Sequence, residues 1–224
     1  GSCHPPAGPS AQGQAALLRA GVSAEGLTAV EEPVPTRDHT ERMLTHLGAE
    51  VTRRGQAVIV QPGKKLRGRE IEVPGDFSSA AFFLVAAAIV PGSSVTVRRV
   101  GLNPTRTGLL ELLKRMGARV EEVSQGETWE PVGDVTVSYA SLKAVAVEPA
   151  LIPNIIDELP ILMVAATQAE GISRMEGVGE LRVKETDRIR SMVAGLSGMG
   201  ASMRSEGDSV FVEGPSRLKG AAVD

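Results

Sequence analysis

The chain repeats one pattern three times, and this repetition limits the folds it can adopt more than any other feature. Each copy has an apolar helical segment, a strand led by glycine, a second amphipathic helix that ends in Gly-Ala, and short closing strands. The segments of the three copies are 10–20, 26–31, 36–47, 51–60 and 71–73; then 77–90, 92–97, 105–116, 135–137 and 144–147; then 156–168, 171–175, 186–199 and 210–212. Because strands alternate with helices, the pattern predicts an α/β fold of βαβαββ units with mixed sheets.

Polar residues occupy equivalent positions in the copies. A polar residue stands fourteen positions before the glycine of the first strand in each copy: Gln12, Ser78 and Asp157. An arginine stands eleven or twelve positions before each Gly-Ala pair: Arg37, Arg106 and Arg188. If the helices are parallel, their N-termini face one cleft and form a site for several phosphates or carboxylates. A repeat array with a purely structural role is the alternative.

The stretch Leu-Arg-Val-Lys-Glu-Thr-Asp-Arg at 181–188 has five charged side chains among its eight residues. Thr186 and Asp187 are candidate N-cap residues for the amphipathic segment that follows, so the charges lie at the start of a predicted helix. Lys184 and Arg188 add positive charge to that end, and Glu185 supplies a carboxyl group for proton transfer. The motif predicts a phosphate or carboxylate site, with a solvated helix start as the alternative.

Asp157 and Glu158 form a paired acid directly before another apolar segment. One interpretation is a helix cap that complements the helix dipole. The other is a general base opposite Lys184 and Arg188, whose positive charges would keep Asp157 ionised.

Two further helix starts are explained first by capping. Asp76 is a good N-cap for the apolar helix that follows it, and the segment 36–42 indicates a helix start with i,i+4 pairing. Within that second segment, Arg37 is a candidate phosphate clamp.

Composition excludes several classes of protein. A net charge of −3 argues against a general nucleic-acid binder. The longest apolar run, 80–90, is about half of the roughly 20 residues that a membrane-spanning helix needs. Cys3 is the single cysteine, which excludes an internal disulfide and fits a reducing compartment. His4, His39 and His46 have no metal-ligand spacing.

Four motifs occur along the chain: Thr-Arg-Asp-His-Thr-Glu-Arg-Met-Leu at 36–44, Pro-Gly-Asp-Phe-Ser-Ser-Ala-Ala-Phe-Phe at 74–83, Asn-Pro-Thr-Arg-Thr-Gly at 103–108, and the stretch at 181–188. Together they resemble the 5-enolpyruvylshikimate-3-phosphate (EPSP) synthases, or 3-phosphoshikimate 1-carboxyvinyltransferases. Ser10-Ala11-Gln12, followed by Arg37, is similar to the bacterial class II form. The resemblance covers nearly the whole chain. It implies the inside-out α/β fold of the enolpyruvyl transferases, in which each of two domains holds three βαβαββ units.

The resemblance also implies a role for each motif residue. The Ser10-Ala11-Gln12 motif and Arg37 would bind shikimate 3-phosphate, and Arg188 would clamp phosphoenolpyruvate. Asp157 would contact the 5-hydroxyl of the ring and act as base, and Lys184 would hold the same hydroxyl. Glu185 would exchange the proton at the methylene carbon of phosphoenolpyruvate.

The expected reaction is the shikimate-pathway transfer of an enolpyruvyl group, a step of aromatic amino-acid biosynthesis. It needs no metal and no organic cofactor. The resemblance further implies a cytoplasmic protein that binds neither membrane nor nucleic acid and is a monomer at full length.

The chain departs from the family in two respects. Gly13-Gln14 replaces the Val-Lys that commonly follows Ser-Ala-Gln, and Pro9 precedes the motif. With 224 residues the chain is also about half as long as family members. We therefore expect a central fragment, with 1–74 holding about one unit of the N-terminal-type domain and 75–224 about two units of the second.

We expect this fragment to be inactive alone, because removing part of an anion clamp leaves the substrates without counter-charges. We also expect the fragment to self-associate. The enzyme alternative is a UDP-N-acetylglucosamine enolpyruvyl transferase, against which Lys-Glu-Thr-Asp-Arg argues. The non-catalytic alternative is an anion-binding fragment.

Overall fold

The computed structural model describes residues 2–4, 11–32, 34–127 and 129–222, and these residues separate into two compact units. The first unit contains the described residues up to Pro74 together with those of the segment 126–131. The second contains Gly75–Gln125 and the described residues from Val132 onwards. The division between the units falls after Pro74, and the segment 126–131 belongs to the first unit although most of the residues around it in sequence belong to the second.

The first unit is one βαβαββ repeat. Its elements in chain order are β1 (Ser2–His4), α1 (Ala11–Val22), β2 (Thr28–Glu31), α2 (His39–His46), β3 (Glu50–Arg54) and β4 (Ala57–Gln61). The sheet order is β1-β2-β4-β3, with β1 parallel to β2 and the other pairs antiparallel. Leu18, Val30 and Leu44 belong to its small core.

Helix α1 approaches strand β2 closely at one glycine. A Cβ on Gly21 would lie 2.7 Å from Cβ of Thr28, and real Cβ atoms essentially never come this close. The glycine therefore lets the helix lie against its sheet.

The second unit begins with another copy of the repeat. Its elements are α3 (Phe77–Ile89), β5 (Ser94–Gly101), α4 (Gly108–Arg115), β6 (Arg119–Glu127) and β7 (Pro131–Ser138). Instead of a full first strand, Gly75 makes a parallel bridge to Val100 of β5. The strand order is β5-β7-β6, which matches the order of β2, β4 and β3.

The third copy follows in the same unit. Its elements are β8 (Ala146–Val147), a 3₁₀ turn (Pro149–Asn154), α5 (Leu159–Thr167), β9 (Gly171–Met175), a second 3₁₀ turn (Gly179–Arg182), α6 (Arg188–Gly198), β10 (Ser202–Glu206) and β11 (Ser209–Gly214). The order β10-β11-β9-β8, with β8 parallel to β9, again matches the first sheet. The predicted α/β fold of repeated βαβαββ units is confirmed.

Three strand predictions were wrong in detail. Residues 71–73 form no strand; the first repeat instead closes with the hairpin β3–β4, which turns at Gly55 with a φ of 60°. Residues 146–147, assigned to the end of the second copy, pair with β9 and so begin the third. Strands β6 and β10 were missed, because polar residues dominate both segments and hide the alternation that marks a strand.

Two apolar helices form the centre of the second unit. Helices α3 and α5 carry no charged residue and pack against each other. Leu84 and Leu162 are fully buried there. On helix α3, the side chains of Phe82 and Phe83 are 60% and 63% exposed. In the described part of the chain, no helix combines the length and the apolar character that crossing a membrane requires.

Candidate functional site

The charged motif at 181–188 lies where the sequence predicts it, at the start of a helix. Asp187 is the N-cap of α6, and its Oδ1 accepts a hydrogen bond of 2.9 Å from the backbone N–H of Arg190. This bond, with a smaller contribution from Arg182, lowers the pKa of Asp187. The cap fixes the start of α6, so Arg188 is its first residue, and Glu185 and Lys184 lie three and four residues before it.

Arg188 lies between two carboxylates. Its Nη1 is 3.6 Å from Oδ1 of Asp157, and its Nη2 donates a hydrogen bond of 2.6 Å to Oε2 of Glu185. The side chains of Arg188 and Asp157 are 28% and 30% exposed, so they are partly shielded yet open to a ligand. The structure thus brings together three residues that the sequence predicts to share a site.

Glu185 differs from Asp157 in its exposure, because 78% of its side chain is accessible. The pKa of Glu185 is lowered, first by a hydrogen bond with its own backbone N–H and then by Arg188. This lowered pKa makes Glu185 a carboxylate at neutral pH, and such a group accepts protons.

Lys184 points to a different acid. Its Nζ donates a hydrogen bond of 2.8 Å to Oε1 of Glu180, four residues earlier in the chain. Lys184 and Arg188 are thus both paired with carboxylates of the chain. An anionic ligand that binds here would exchange these contacts for its own oxygens.

Asp157 is held by the turn that links the first 3₁₀ segment to α5. Ile155 is fully buried on one side of it and Leu159 on the other. The backbone N–H groups of Glu158 and Leu159 both donate to the carbonyl of Ile155, each at 2.9 Å. Glu158 occupies the N-cap position of α5, but its side chain makes no capping bond, so the capping interpretation of the acid pair is wrong for that carboxylate.

The carboxylate of Glu158 instead reaches the other repeat. Its Oε1 accepts a hydrogen bond of 2.5 Å from Oγ of Ser78, near the start of α3. Nη2 of Arg106, just before α4, donates a bond of 2.6 Å to the same Oγ and lies 3.8 Å from Glu158. The equivalent positions found in the sequence thus meet in pairs, Ser78 with Arg106 in one repeat and Asp157 with Arg188 in the next.

Asp76 completes this second cluster. It is the N-cap of α3 and accepts bonds of 2.8 Å from both N–H and Oγ of Ser79. Its carboxylate also lies 3.7 Å from Arg106. Burial opposes ionisation of Asp76, but the bonds from Ser79 and the charge of Arg106 outweigh it and lower its pKa.

The remaining predicted site residues belong to the first unit. Ala11 and Gln12 lie in the first turn of α1, with the Gln12 side chain exposed, whereas Ser10 lies outside the described residues. Arg37 is half-buried in the irregular stretch before α2. At the start of α2, Asp38 forms the predicted i,i+4 pair with Arg42, at 2.8 Å, but makes no side-chain capping bond.

A buried polar cluster in the first unit was not predicted. Glu32 is almost fully buried and accepts a hydrogen bond of 2.5 Å from Oγ1 of Thr36, and Nη2 of Arg53 lies 3.3 Å from it. The same Nη2 lies 2.8 Å from Glu41. Burial opposes the charge of Arg53, but the two glutamates outweigh it and raise its pKa. Arg53 lies 21 residues from Glu32 and 12 from Glu41, too far for sequence spacing to have linked it to them.

Repeated βαβαββ units, with cations and carboxylates gathered at the helix starts, define an α/β protein suited to binding anions and moving protons. Comparison with known proteins identifies the family of the chain. Residues 7–224 match the family model described as EPSP synthase (3-phosphoshikimate 1-carboxyvinyltransferase). The chain therefore belongs to the EPSP synthase family.

Named relatives and solved structures agree with this assignment. The chain is 51% identical over 216 residues to a 3-phosphoshikimate 1-carboxyvinyltransferase of Carboxydothermus hydrogenoformans, covering 96% of the chain and 50% of the relative. A Bacillus cereus protein of the same name is 48% identical over 217 residues, again with 96% and 50% coverage. An EPSP synthase structure from Acinetobacter baumannii superposes with a TM-score of 0.90 at 43% identity, covering 97% of the chain and 49% of that structure. The chain thus spans about half the length of the relatives it matches.

Proposed function

We propose that this chain forms part of a 3-phosphoshikimate 1-carboxyvinyltransferase, which transfers the enolpyruvyl group of phosphoenolpyruvate to the 5-hydroxyl of shikimate 3-phosphate. The observation that carries the proposal is the cluster of Asp157, Glu185 and Arg188 at the start of α6, in a chain that belongs to the EPSP synthase family. A cation between two carboxylates at a helix N-terminus provides both anion binding and proton transfer.

Each group has one role in the proposed reaction. Asp157 takes the proton of the 5-hydroxyl while that oxygen bonds to C2 of phosphoenolpyruvate. C3 takes a proton from Glu185, which enters this step protonated because the negative charge of the bound phosphoenolpyruvate disfavours the ionised form of the carboxyl group. In the resulting tetrahedral intermediate, the bond between C2 and the phosphate oxygen then breaks. Phosphate leaves with the proton that Asp157 took up, C3 returns its proton to Glu185, and the enolpyruvyl double bond forms. The lowered pKa of Glu185 suits this last step, in which it accepts a proton.

The cations hold the two anionic substrates. Arg188 binds phosphoenolpyruvate, and its planar guanidinium matches a carboxylate or phosphate in two-point geometry. Lys184 leaves Glu180 to hold the 5-hydroxyl. In the first unit, Ser10, Ala11, Gln12 and Arg37 bind shikimate 3-phosphate.

We propose that the two units are parts of two different domains of the full-length enzyme. Residues 1–74 supply about one repeat of the N-terminal-type domain, and 75–224 about two repeats of the second. Because the chain covers 50% of its relatives, we expect the remaining half to supply further substrate-binding groups. The chain alone is then expected to be inactive, since preorganised counter-charges on both sides of an anion are required for the chemistry.

The proposal is tested with a chimera in which the 216 matched residues of this chain replace their counterparts in the Carboxydothermus relative. We expect the chimera to release phosphate from shikimate 3-phosphate and phosphoenolpyruvate at a rate within about tenfold of the unmodified relative, about 1.4 kcal/mol of activation free energy. A chimera that melts cooperatively yet releases no phosphate would overturn the proposal. Turnover with UDP-N-acetylglucosamine as acceptor would support the other enolpyruvyl transferase, which the family match does not favour.

We also propose that the full-length protein is a cytoplasmic monomer and that the isolated chain self-associates. The exposed Phe82 and Phe83 on the uncharged helix α3 support the second point, because exposed apolar patches promote association. Light scattering of the chain and of the chimera tests both expectations, and a monodisperse 224-residue monomer would contradict self-association.

A further inference from the structure

Glu158 is a buried acid next to a proposed catalytic acid. Its side chain is 1% exposed, and the neighbouring Asp157 is 30% exposed. Burial of a carboxylate is costly unless hydrogen bonds and positive charge compensate for it. A neutral residue of similar size would avoid this cost, so the partners of Glu158 show what it contributes.

Ser78 and Arg106 are those partners, and they form a directed chain. Arg106 donates to Oγ of Ser78 at 2.6 Å, and the same hydroxyl donates to Glu158 at 2.5 Å. A serine hydroxyl accepts one bond while donating its single proton, so its orientation is determined by both contacts. The same Nη2 of Arg106 also lies 3.7 Å from Oδ1 of Asp76.

The chain of bonds ends at the turn that carries Asp157. Glu158 reaches back towards the starts of α3 and α4, and Asp157 faces Arg188 at the start of α6. The two acids are consecutive in a turn whose backbone is bonded on both sides, through the N–H of Leu159 to Ile155 and the carbonyl of Glu158 to Leu162. A shift of the Glu158 backbone is therefore passed on to Asp157, the preceding residue of the same turn.

We infer that Ser78, Arg106 and Glu158 are positioning residues that hold Asp157 in place against Arg188. The inference rests on the proposed function, because it concerns the base of that reaction. None of the three has to touch substrate; they act through the turn. A displacement of a catalytic group by about 1 Å can cost about 10²-fold in rate, so a rigid connection to the preceding repeat has a functional consequence.

Activity in the chimera gives the first test. We expect Ser78→Ala and Glu158→Gln each to lower kcat by about 10- to 100-fold with KM nearly unchanged, since orientation of the base matters in the transition state and not in substrate binding. Ser78→Thr restores the hydroxyl and should recover most of the loss. The double variant should have about the same kcat as the less active of the two single variants, because the effects of residues in one network are not additive. Ser94→Ala is the control, since it removes a comparable 2.8 Å hydroxyl bond to Ser138 in the same repeat.

A second measurement does not depend on turnover. In the 224-residue chain, Ser78→Ala should shift the NMR signals of the Asp157 amide and the Arg188 guanidinium, and Ser94→Ala should leave them unchanged. An unmodified chimera without turnover would refute the proposed function, and the NMR result would still decide whether the network positions Asp157. Two results would overturn the inference. One is that the Arg188 signals do not shift in Ser78→Ala, and the other is that Ser78→Ala and Glu158→Gln both keep kcat within about twofold.

Discussion

Arg188 at the start of α6 lies 3.6 Å from the carboxylate of Asp157, which belongs to the turn before α5. The two residues lie at or just before the starts of the two helices of one repeat. The same two positions in the preceding repeat hold Arg106 and Ser78, joined by a 2.6 Å hydrogen bond. A contact between the starts of paired helices is thus a repeated feature of the second unit, and in the last repeat it joins an acid to a cation.

Replacing Arg188 by Ala should remove the cation of this pair. We expect kcat/KM of the chimera for phosphoenolpyruvate to fall by about 10²- to 10³-fold, the usual effect of losing one preorganised charge-stabilising donor. Arg188→Lys should recover little, because an ammonium group cannot reproduce the two-point contact of a guanidinium.

Arg190→Ala is the matched control for Arg188, since it removes an equal charge from an exposed side chain two positions away. It should change kcat/KM by less than about threefold, as expected of a solvent-screened charge. Equal losses in the two variants would show that net charge matters here and the position of Arg188 does not.

Replacing Glu185 by Gln should stop proton exchange at C3 while leaving the shape of the site intact. We expect kcat of the chimera to fall by about 10²- to 10⁴-fold, the range for loss of a general acid–base group. When the reaction runs in D₂O, mass spectrometry of phosphoenolpyruvate shows how much deuterium its methylene carbon has gained, which measures this step directly. Glu206→Gln, an exposed acid paired with Arg204, is the control. Undiminished deuterium exchange in Glu185→Gln would assign the proton transfer to another residue.

Asp76 should make the stability of the chain depend on pH. Its pKa is lowered in the folded state, so the folded chain binds fewer protons than the unfolded chain in this range. The stabilisation is therefore complete well above the ordinary value of about 3.9 and is lost as the pH falls through the lower folded value. Urea denaturation of the 224-residue chain between pH 7 and pH 3 measures it.

Two variants separate the charge of Asp76 from its capping role. Asp76→Asn keeps a good cap and should show a smaller loss of stability in acid than the wild-type chain. Asp76→Ala should cost about 1 kcal/mol already at pH 7, the usual effect of removing an N-cap. Identical pH dependence of Asp76→Asn and wild type would show that the ionised form of Asp76 contributes nothing.

Gly108, the first residue of α4, should not tolerate a side chain. A Cβ there would lie 2.4 Å from Cγ2 of Ile155, which is fully buried beside the turn of Asp157. We expect Gly108→Ala to lower the free energy of unfolding by about 1–3 kcal/mol, as overpacking does.

Gly198→Ala is the control, because a Cβ at this position in α6 meets no atom within 4 Å. It should be neutral or stabilise the chain by up to about 1 kcal/mol through the better helix propensity of alanine. A Gly108→Ala variant as stable as Gly198→Ala would mean that Ile155 moves aside without cost.

Most of the repeat architecture could be predicted from local patterns. Two features are local in sequence and were predicted for this reason. They are the Gly-Ala pairs that follow α2, α4 and α6 and the apolar runs of α3 and α5. The short strand β8 was assigned to the wrong repeat because its two residues have no pattern of their own. Only its parallel pairing with β9 shows where it belongs.

The candidate site, like the fold, was predicted from the sequence only in part. The sequence alone determined the three repeats, the charged start of α6 and the candidate group of Asp157, Glu185 and Arg188, because periodicity, capping and motif spacing are local properties. Only the tertiary structure decided that Glu158 is buried and bonded to Ser78, a residue of the preceding repeat. The partner of a buried polar group depends on which helix starts meet in space, and that is determined by the packing of α3 against α5.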